Sequence, residues 1–233
     1  MALMETLQHL QRTVPFDSQR ERAVAIHDYV RDHIAFGFTT WFETVTPAQT
    51  LLRGRGHCNA QADLMCALLQ AAGLAARLRF VQLDKRVLRH AVPALVYQCL
   101  PPDLFHAVIQ VEIDGVWRHC DSYIFEPEVF AAQQKKRLAA GLPLGYGVTS
   151  EGTCHWSGDA DAFSQARPTD LHAQDPLFAS LAEAMAARAG NNHLMGLHFN
   201  QWLGAVPAPL QHAAEHYLNS RLPHPSAPAE KEH

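Results

Sequence analysis

The longest run of one pattern lies between Cys58 and Ala72, where the sequence CNAQADLMCALLQAA contains no Pro, no Gly and no β-branched residue, and Gly73 follows as a stop signal. This predicts a helix of roughly four turns. Ala60, Ala62, Leu64, Met65, Cys66, Ala67, Leu68, Leu69, Ala71 and Ala72 cover most of its circumference. Asn59, Asp63 and Gln70 lie on a narrow polar stripe, so the helix is expected to be buried. Upstream, Asp17-Ser18 supplies an N-cap with Glu21 at the capping-box position, and Ala23, Ile26, Val30 and Ile34 follow at steps of three and four. Residues 18–34 therefore read as a surface helix. The segment 35–45 is aromatic and β-branched without clean alternation, which suits an extended loop that covers the core or lines a cleft. Thr46-Pro47 then opens a short helix to Leu52.

Beyond Gly73 the period changes from helical to alternating. Ala76 to Leu83 reads as a strand with Leu78, Phe80 and Val81 inward. Residues 85–102 fit helix or strand, and Pro93 interrupts either. From Phe105 to Tyr123 two alternating runs are joined by Asp114-Gly115, the preferred dipeptide of a type I′ hairpin. A two-residue turn sets Ile113 opposite Val116, and in the same register His106 faces Tyr123 and Val108 faces Asp121. His106 and Asp121 are then diagonal neighbours on one face, about 7–8 Å apart along the backbone and within side-chain reach. Ile109, Val111, Ile113, Val116 and Cys120 take the core face. The remainder reads as a helix from Glu126-Pro127 to Gly141 with Lys135, Lys136 and Arg137 on a solvated face, then strand and loop over 141–161. Helices are expected over 175–190, 194–203 and 207–222, and a disordered tail over 223–233. Helices around an antiparallel hairpin imply an α+β fold, with residues 1–222 as one domain.

Composition narrows the function classes. A chain of 233 residues with 48% hydrophobic content suffices for one well-filled core. A formal charge of −4 with mixed signs throughout offers no basic stripe for nucleic acid. No run approaches ~18 apolar residues and the amphipathic start is not a leader, so a soluble, cytoplasmic protein away from membranes is expected. The five cysteines, 58, 66, 99, 120 and 154, are odd in number and lack a CxxC, which points to reduced thiols rather than disulfides.

Cys58 reads from this stretch alone either as a nucleophile or as a small apolar filler of the core. It sits in the first turn of its helix, where unpaired N–H groups and the positive end of the dipole favour a thiolate. A thiol at a helix start, a histidine on a strand and a carboxylate able to orient it are the parts of a nucleophile, base and orienter set, assigned to Cys58, His106 and Asp121.

The chain also resembles the transglutaminase-like family of the papain-like superfamily. The resemblance is carried by Gly54-Arg-Gly-His-Cys58-Asn-Ala-Gln-Ala62, by Ala67 to Arg77, by Phe105-His106-Ala107 and by Asp114-Gly-Val-Trp117-Arg-His-Cys-Asp121. It implies a papain-like core, a central helix packed on an antiparallel sheet, with extra helices at both ends. It also implies acyl transfer through a thioester on Cys58, without a cofactor or a metal, and a peptide, protein or amide-containing small molecule as substrate. The chain departs from the family at Gln61, where an aromatic residue is common, at Ala75, where Pro is common, and at Val108, often Trp. For the oxyanion, the backbone N–H of Cys58 is one natural donor, with the Gln49 and Trp41 side chains as candidates for the other. Phe38, Trp41 and Phe42, with Phe36, suggest an apolar substrate wall.

Two rival readings compete with this one. His-Cys or Cys-His dipeptides at 57/58, 119/120 and 154/155 invite zinc, but none has ligand spacing, and adjacent strand residues face opposite ways. A non-enzymatic interaction module on the same fold is the second rival.

Overall fold

A computed structural model describes residues 2–14, 16–189, 193–194, 197–198, 201, 205–220 and 222. The chain opens with α1 (Ala2–Thr13) and α2 (Gln19–His33). Ser18 and Glu21 form the anticipated capping box at the start of α2. The chain then runs through β1 (Ala35–Phe36) and a 3-10 turn to α3 (Pro47–Arg53), which Thr46 and Gln49 cap reciprocally. Gly54 ends α3 in the left-handed region, φ 59°, and leads into β2 (Arg55–Gly56), which pairs in parallel with β1. A side chain at Gly56 would meet Ala60 and Thr50 at 3.0 Å, so glycine lets this strand end directly against the next helix.

That helix, α4 (Cys58–Ala71), is the buried centre of the molecule. It packs against α2 and against a four-stranded antiparallel sheet of order β5-β4-β3-β8, built from β3 (Ala76–Asp84), β4 (Asp103–Ile113), β5 (Val116–Cys120) and β8 (Leu177–Phe178). The hairpin register is the one its turn dictates, Ile113 with Val116 through Ile109 with Cys120, and both turn residues have positive φ. Leu78, Phe80, Ile109, Val111, Ile113 and Cys120 join Ile26, Leu64, Met65 and Leu68 in the main core. Val116 lies at the hairpin's end and is 46% exposed, a correction to its predicted core position.

The other sheet face is buried as well. Val81, Leu83 and Val108 pack there with Val87, Phe163 and Ala166. The ambiguous stretch 85–102 resolves as a 3-10 turn (Lys85–Leu88) and α5 (Ala94–Cys99), with Pro93 at the cap of α5, where it breaks no internal bond. After α6 (Pro127–Ala139), β6 (Leu144–Gly145) and β7 (Val148–Thr149) form a small hairpin. Arg137 is buried in the last turn of α6, bonded to Gln134 and to the Leu142 carbonyl, rather than solvated.

The predicted helix over 175–190 begins later than its Asp-Pro signal suggests. The outer edge of β3 claims Leu177 and Phe178 as a strand, and Phe80 N–H donates to the Pro176 carbonyl at 3.0 Å. The helix α7 (Leu181–Ala186) then starts behind Ser180. Within 194–203, Leu194 and Leu197 pair in the two-stranded β9 (His193–Leu194) and β10 (Leu197–His198) instead of forming helix, Gln201 is helical, and the other residues of the run except His198 lie outside the described ones. The predicted 207–222 helix is α8 (Ala208–Asn219). The tail 223–233 lies outside the described residues. No helix among the described residues is long and apolar enough to cross a membrane.

Candidate active site

Cys58 is the first residue of α4 and is half-buried, with its sulfur 3.7 Å from the Asn59 carboxamide oxygen. His106 comes from β4 and Asp121 from the residue after β5; both are buried. The His106 Nε2 lies 2.9 Å from Asp121 Oδ2, so the diagonal anticipated from the hairpin register is a direct contact. The opposite ring nitrogen, Nδ1, has no hydrogen-bond partner, and the ring interacts with the Cys58 sulfur. Burial works against the charged ring, but the Cys58 sulfur and then the Asp121 carboxylate outweigh it and push its pKa up to about 10.

Asp121 is held chiefly by backbone donors, with the Ser164 hydroxyl as a weaker side-chain donor at 3.4 Å. Its carboxylate accepts N–H groups from Ser164 (2.5 Å), Gln165 (3.3 Å) and Ala166 (2.8 Å) in addition to the His106 contact. The pairing of β4 with β5 ends at Cys120, which bridges to Ala162, and the Asp121 N–H donates to the Ala162 carbonyl. The segment 162–166 thus lies along the hairpin and presents its N–H groups to the carboxylate. Backbone donors have no residue identity, so no sequence signal marks them.

Asn59 is the second contributor that sequence patterning missed. Its side chain accepts from Ala107 N–H at 2.9 Å and donates to the Phe105 carbonyl at 3.1 Å and to Glu43 at 3.0 Å. The residue after Cys58 therefore grips the strand on both sides of His106. Its place on the polar stripe of a buried helix was the available signal, because a buried amide must find partners.

The aromatic segment divides. Phe36, Phe38 and Phe42 line a cavity of about 460 Å³ that opens beside Cys58, Asn59 and His106. Trp41 does not reach it; its ring lies under the Arg53 guanidinium at 4.0 Å and is partly exposed. Gln49 is also away from the cavity lining, because its Oε1 accepts from Thr46 N–H at 2.9 Å in the capping box of α3. Neither proposed oxyanion side chain is therefore brought to Cys58. His57, in contrast, lines the cavity, stacked on Phe42 at 4.4 Å, fully buried and with neither ring nitrogen hydrogen-bonded. Burial, opposed only in part by Glu43, lowers its pKa to about 4. Among the described residues no group of three or more His, Cys, Asp or Glu side chains is arranged to hold a metal ion. Gln61 turns away from the cavity and donates to the Ile34 and Ile124 carbonyls.

Residues 8–122 match the transglutaminase-like superfamily, a span that includes Cys58, His106 and Asp121. The chain carries a transglutaminase-like core. No curated protein matches it. Among solved structures, one from Cytophaga hutchinsonii described as a "Putative Cysteine Protease" is similar, with 18% identity and a TM-score of 0.38 over 50% of this chain. The aligned part is 36% of that protein, so this chain spans about a third of its length. Within the transglutaminase-like core, the helix start, the histidine strand and the acidic residue after the hairpin come from three separate elements that one buried amide, Asn59, helps to keep in register.

Proposed function

We propose that the protein is a thiol-dependent acyl-transfer enzyme acting on an amide or peptide carbonyl. The observation that carries this reading is the buried His106, in contact with the Asp121 carboxylate through one ring nitrogen and interacting with the Cys58 sulfur. His106 takes the thiol proton, and the sulfur bonds to the carbonyl carbon of the substrate. The tetrahedral intermediate collapses as the amine leaves, accepting the proton from His106, and the acyl group remains on Cys58 as a thioester. Water or a second amine, deprotonated by the same imidazole, then attacks the thioester and restores the thiol. Asp121 keeps the ring oriented and supports its positive charge, while the Cys58 N–H at the start of α4 faces the developing oxyanion. We place the protein in the cytoplasm, where thiols stay reduced.

The test is intact-mass analysis of the full chain incubated with a library of glutamine-containing and other amide acyl donors, with and without a primary amine. A mass increase mapped to Cys58 and lost in Cys58→Ala is expected. A free acid product indicates hydrolysis and an amide adduct indicates transfer. No acyl-enzyme and no product across a broad library would sink the reading in favour of a binding module.

A further inference from the structure

The cavity beside Cys58 has two chemically different ends. Its body is walled by Leu83, Val87, Leu88, Val92, Val96 and Leu104, contributed by the end of β3, the 3-10 turn and loop that follow it, α5 and the start of β4, and it is closed on another side by Leu218 and Ala214 of α8. Polar side chains that border this body are already engaged. Glu215 accepts the Thr40 N–H at 2.9 Å and pairs with Arg53, Gln211 donates to the Val206 carbonyl, and Gln165 donates to the Gly147 carbonyl. Lys85, at the edge of the same segment, is turned to the Leu100 carbonyl. A charged group entering here would lose its hydration and find no opposite charge to replace it.

On the Cys58 side the lining residues are Thr39, His57 and His106, whose polar atoms are buried: the Thr39 hydroxyl and both ring nitrogens of His57 have no partner, and Nδ1 of His106 is the nitrogen left to face the Cys58 sulfur. His57 directly precedes Cys58. Phe42, stacked on His57, bonds back to the Thr39 carbonyl, which keeps Thr39 in the same turn. Unpartnered buried donors and acceptors are costly and rare, and these belong to residues that line the same cavity as Cys58. The cavity volume lies within the range of pockets that take small organic ligands.

We propose that the cavity is an acyl-side pocket that takes an uncharged apolar group, aliphatic or aryl, attached to the carbonyl that Cys58 attacks, with that carbonyl held at the Cys58 and His106 side. The assignment rests on the reading of Cys58 as the nucleophile. Such a group is either a fatty acyl chain or the apolar side chain of an acyl-donating amino acid.

Acylation of the full-length protein by p-nitrophenyl esters from acetyl to decanoyl tests it; the sulfur displaces p-nitrophenolate and the thioester is mapped to Cys58. Relative to the reaction of each ester with a free thiol, kcat/KM is expected to rise by about three- to fourfold per added methylene until the pocket is full. A second arm uses p-nitrophenyl esters of N-acetylated Leu, Phe and Asp. A larger gain in the fatty series identifies an acyl chain as the source, whereas Leu and Phe exceeding Asp by more than the fatty series rises identifies a side chain. Cys58 acylated at rates flat in both series overturns the pocket and leaves the nucleophile intact. Cys58→Ala separates the two readings. It should bind octanamide at least tenfold more tightly than octanoate in calorimetry, and that result with no acylation of the wild type supports the pocket while removing the nucleophile. Val96→Asp in the wall, and Leu95→Asp at the 74% exposed rim where folding is not at risk, should each flatten the ester series; a series as steep as that of the wild type in both would overturn the proposal.

Discussion

His57 and His106 line one cavity and are both fully buried, yet their surroundings drive them to opposite charge states. His106 has the Cys58 sulfur beside it and a carboxylate against its Nε2, and its pKa rises to about 10. His57 has an aromatic ring on its face, no hydrogen bond to either nitrogen and only a more distant influence from Glu43, and its pKa falls to about 4. Burial pushes both rings toward the neutral form. What separates them is whether the fold spends a charged partner on the ring, and at His106 that partner is itself held by three backbone N–H groups. One histidine is equipped to hold a proton next to a thiol, and the other is a neutral group facing the cavity.

The strongest way to break this contrast is to remove the carboxylate. Asp121→Asn is expected to lower turnover by up to ~10⁴-fold, the scale seen for the equivalent change in a serine triad. The ring of His106, followed by NMR, should lose its raised pKa. Melting temperature should fall as well, because an amide nitrogen would meet the Ser164 or Ala166 N–H where an oxygen now accepts. Full activity in this variant would remove Asp121 from the mechanism.

Next in size is the grip on the histidine strand. Asn59→Ala leaves the Ala107 N–H and the Phe105 carbonyl without their present partner and should cost about 2–4 kcal/mol in denaturant unfolding. It should also slow acylation by roughly 10²-fold, the penalty for displacing a reacting group by about 1 Å. A stability loss with an unchanged acylation rate would show that Asn59 does not position His106.

The two histidines also predict two limbs of a stability profile. His57 is depressed in the folded state, so as pH falls from 6.5 toward 4 the unfolded chain takes up a proton that the folded chain refuses, and up to about 3 kcal/mol is lost. His106 is raised, so its contribution is complete below 6.5 and is lost as pH rises through about 10. Chemical denaturation across pH checks both: His57→Phe should flatten the acid limb, and His106→Ala the alkaline one. Unchanged limbs would contradict the opposite charge states.

The smallest effect compares two thiols on one helix. Cys66 lies two turns beyond Cys58, where burial and then Asp63 push its pKa far above the ordinary thiol range. Mild iodoacetamide treatment near pH 6 should label Cys58 at least tenfold faster, and His106→Ala should slow it. Equal labelling of both cysteines, or a Cys58 rate indifferent to His106, would mean that the imidazole does not act on the thiol.

Much of the candidate site is legible in the sequence. The absence of breakers from 58 to 72 marks a buried helix with Cys58 at its start, and Asp114-Gly115 sets a register that makes His106 and Asp121 diagonal neighbours. Both inferences rest on local rules, helical and strand periodicity and turn stereochemistry, which a short stretch of sequence obeys by itself. Trp41, Gln49 and Val116 were misplaced because their residue types suit several positions, and contacts elsewhere chose among them: Arg53 for the tryptophan ring, Thr46 for the glutamine, the hairpin's exposed end for the valine. Tertiary structure alone decided the N–H groups of 164–166 around Asp121, the two-sided grip of Asn59, and a cavity whose walls come from residues 36–42, 83–106 and 211–218. Periodicity states which face of an element is apolar, but not which distant element covers it. Backbone donors carry no side-chain signature at all, so their partners exist only once the chain has closed on itself.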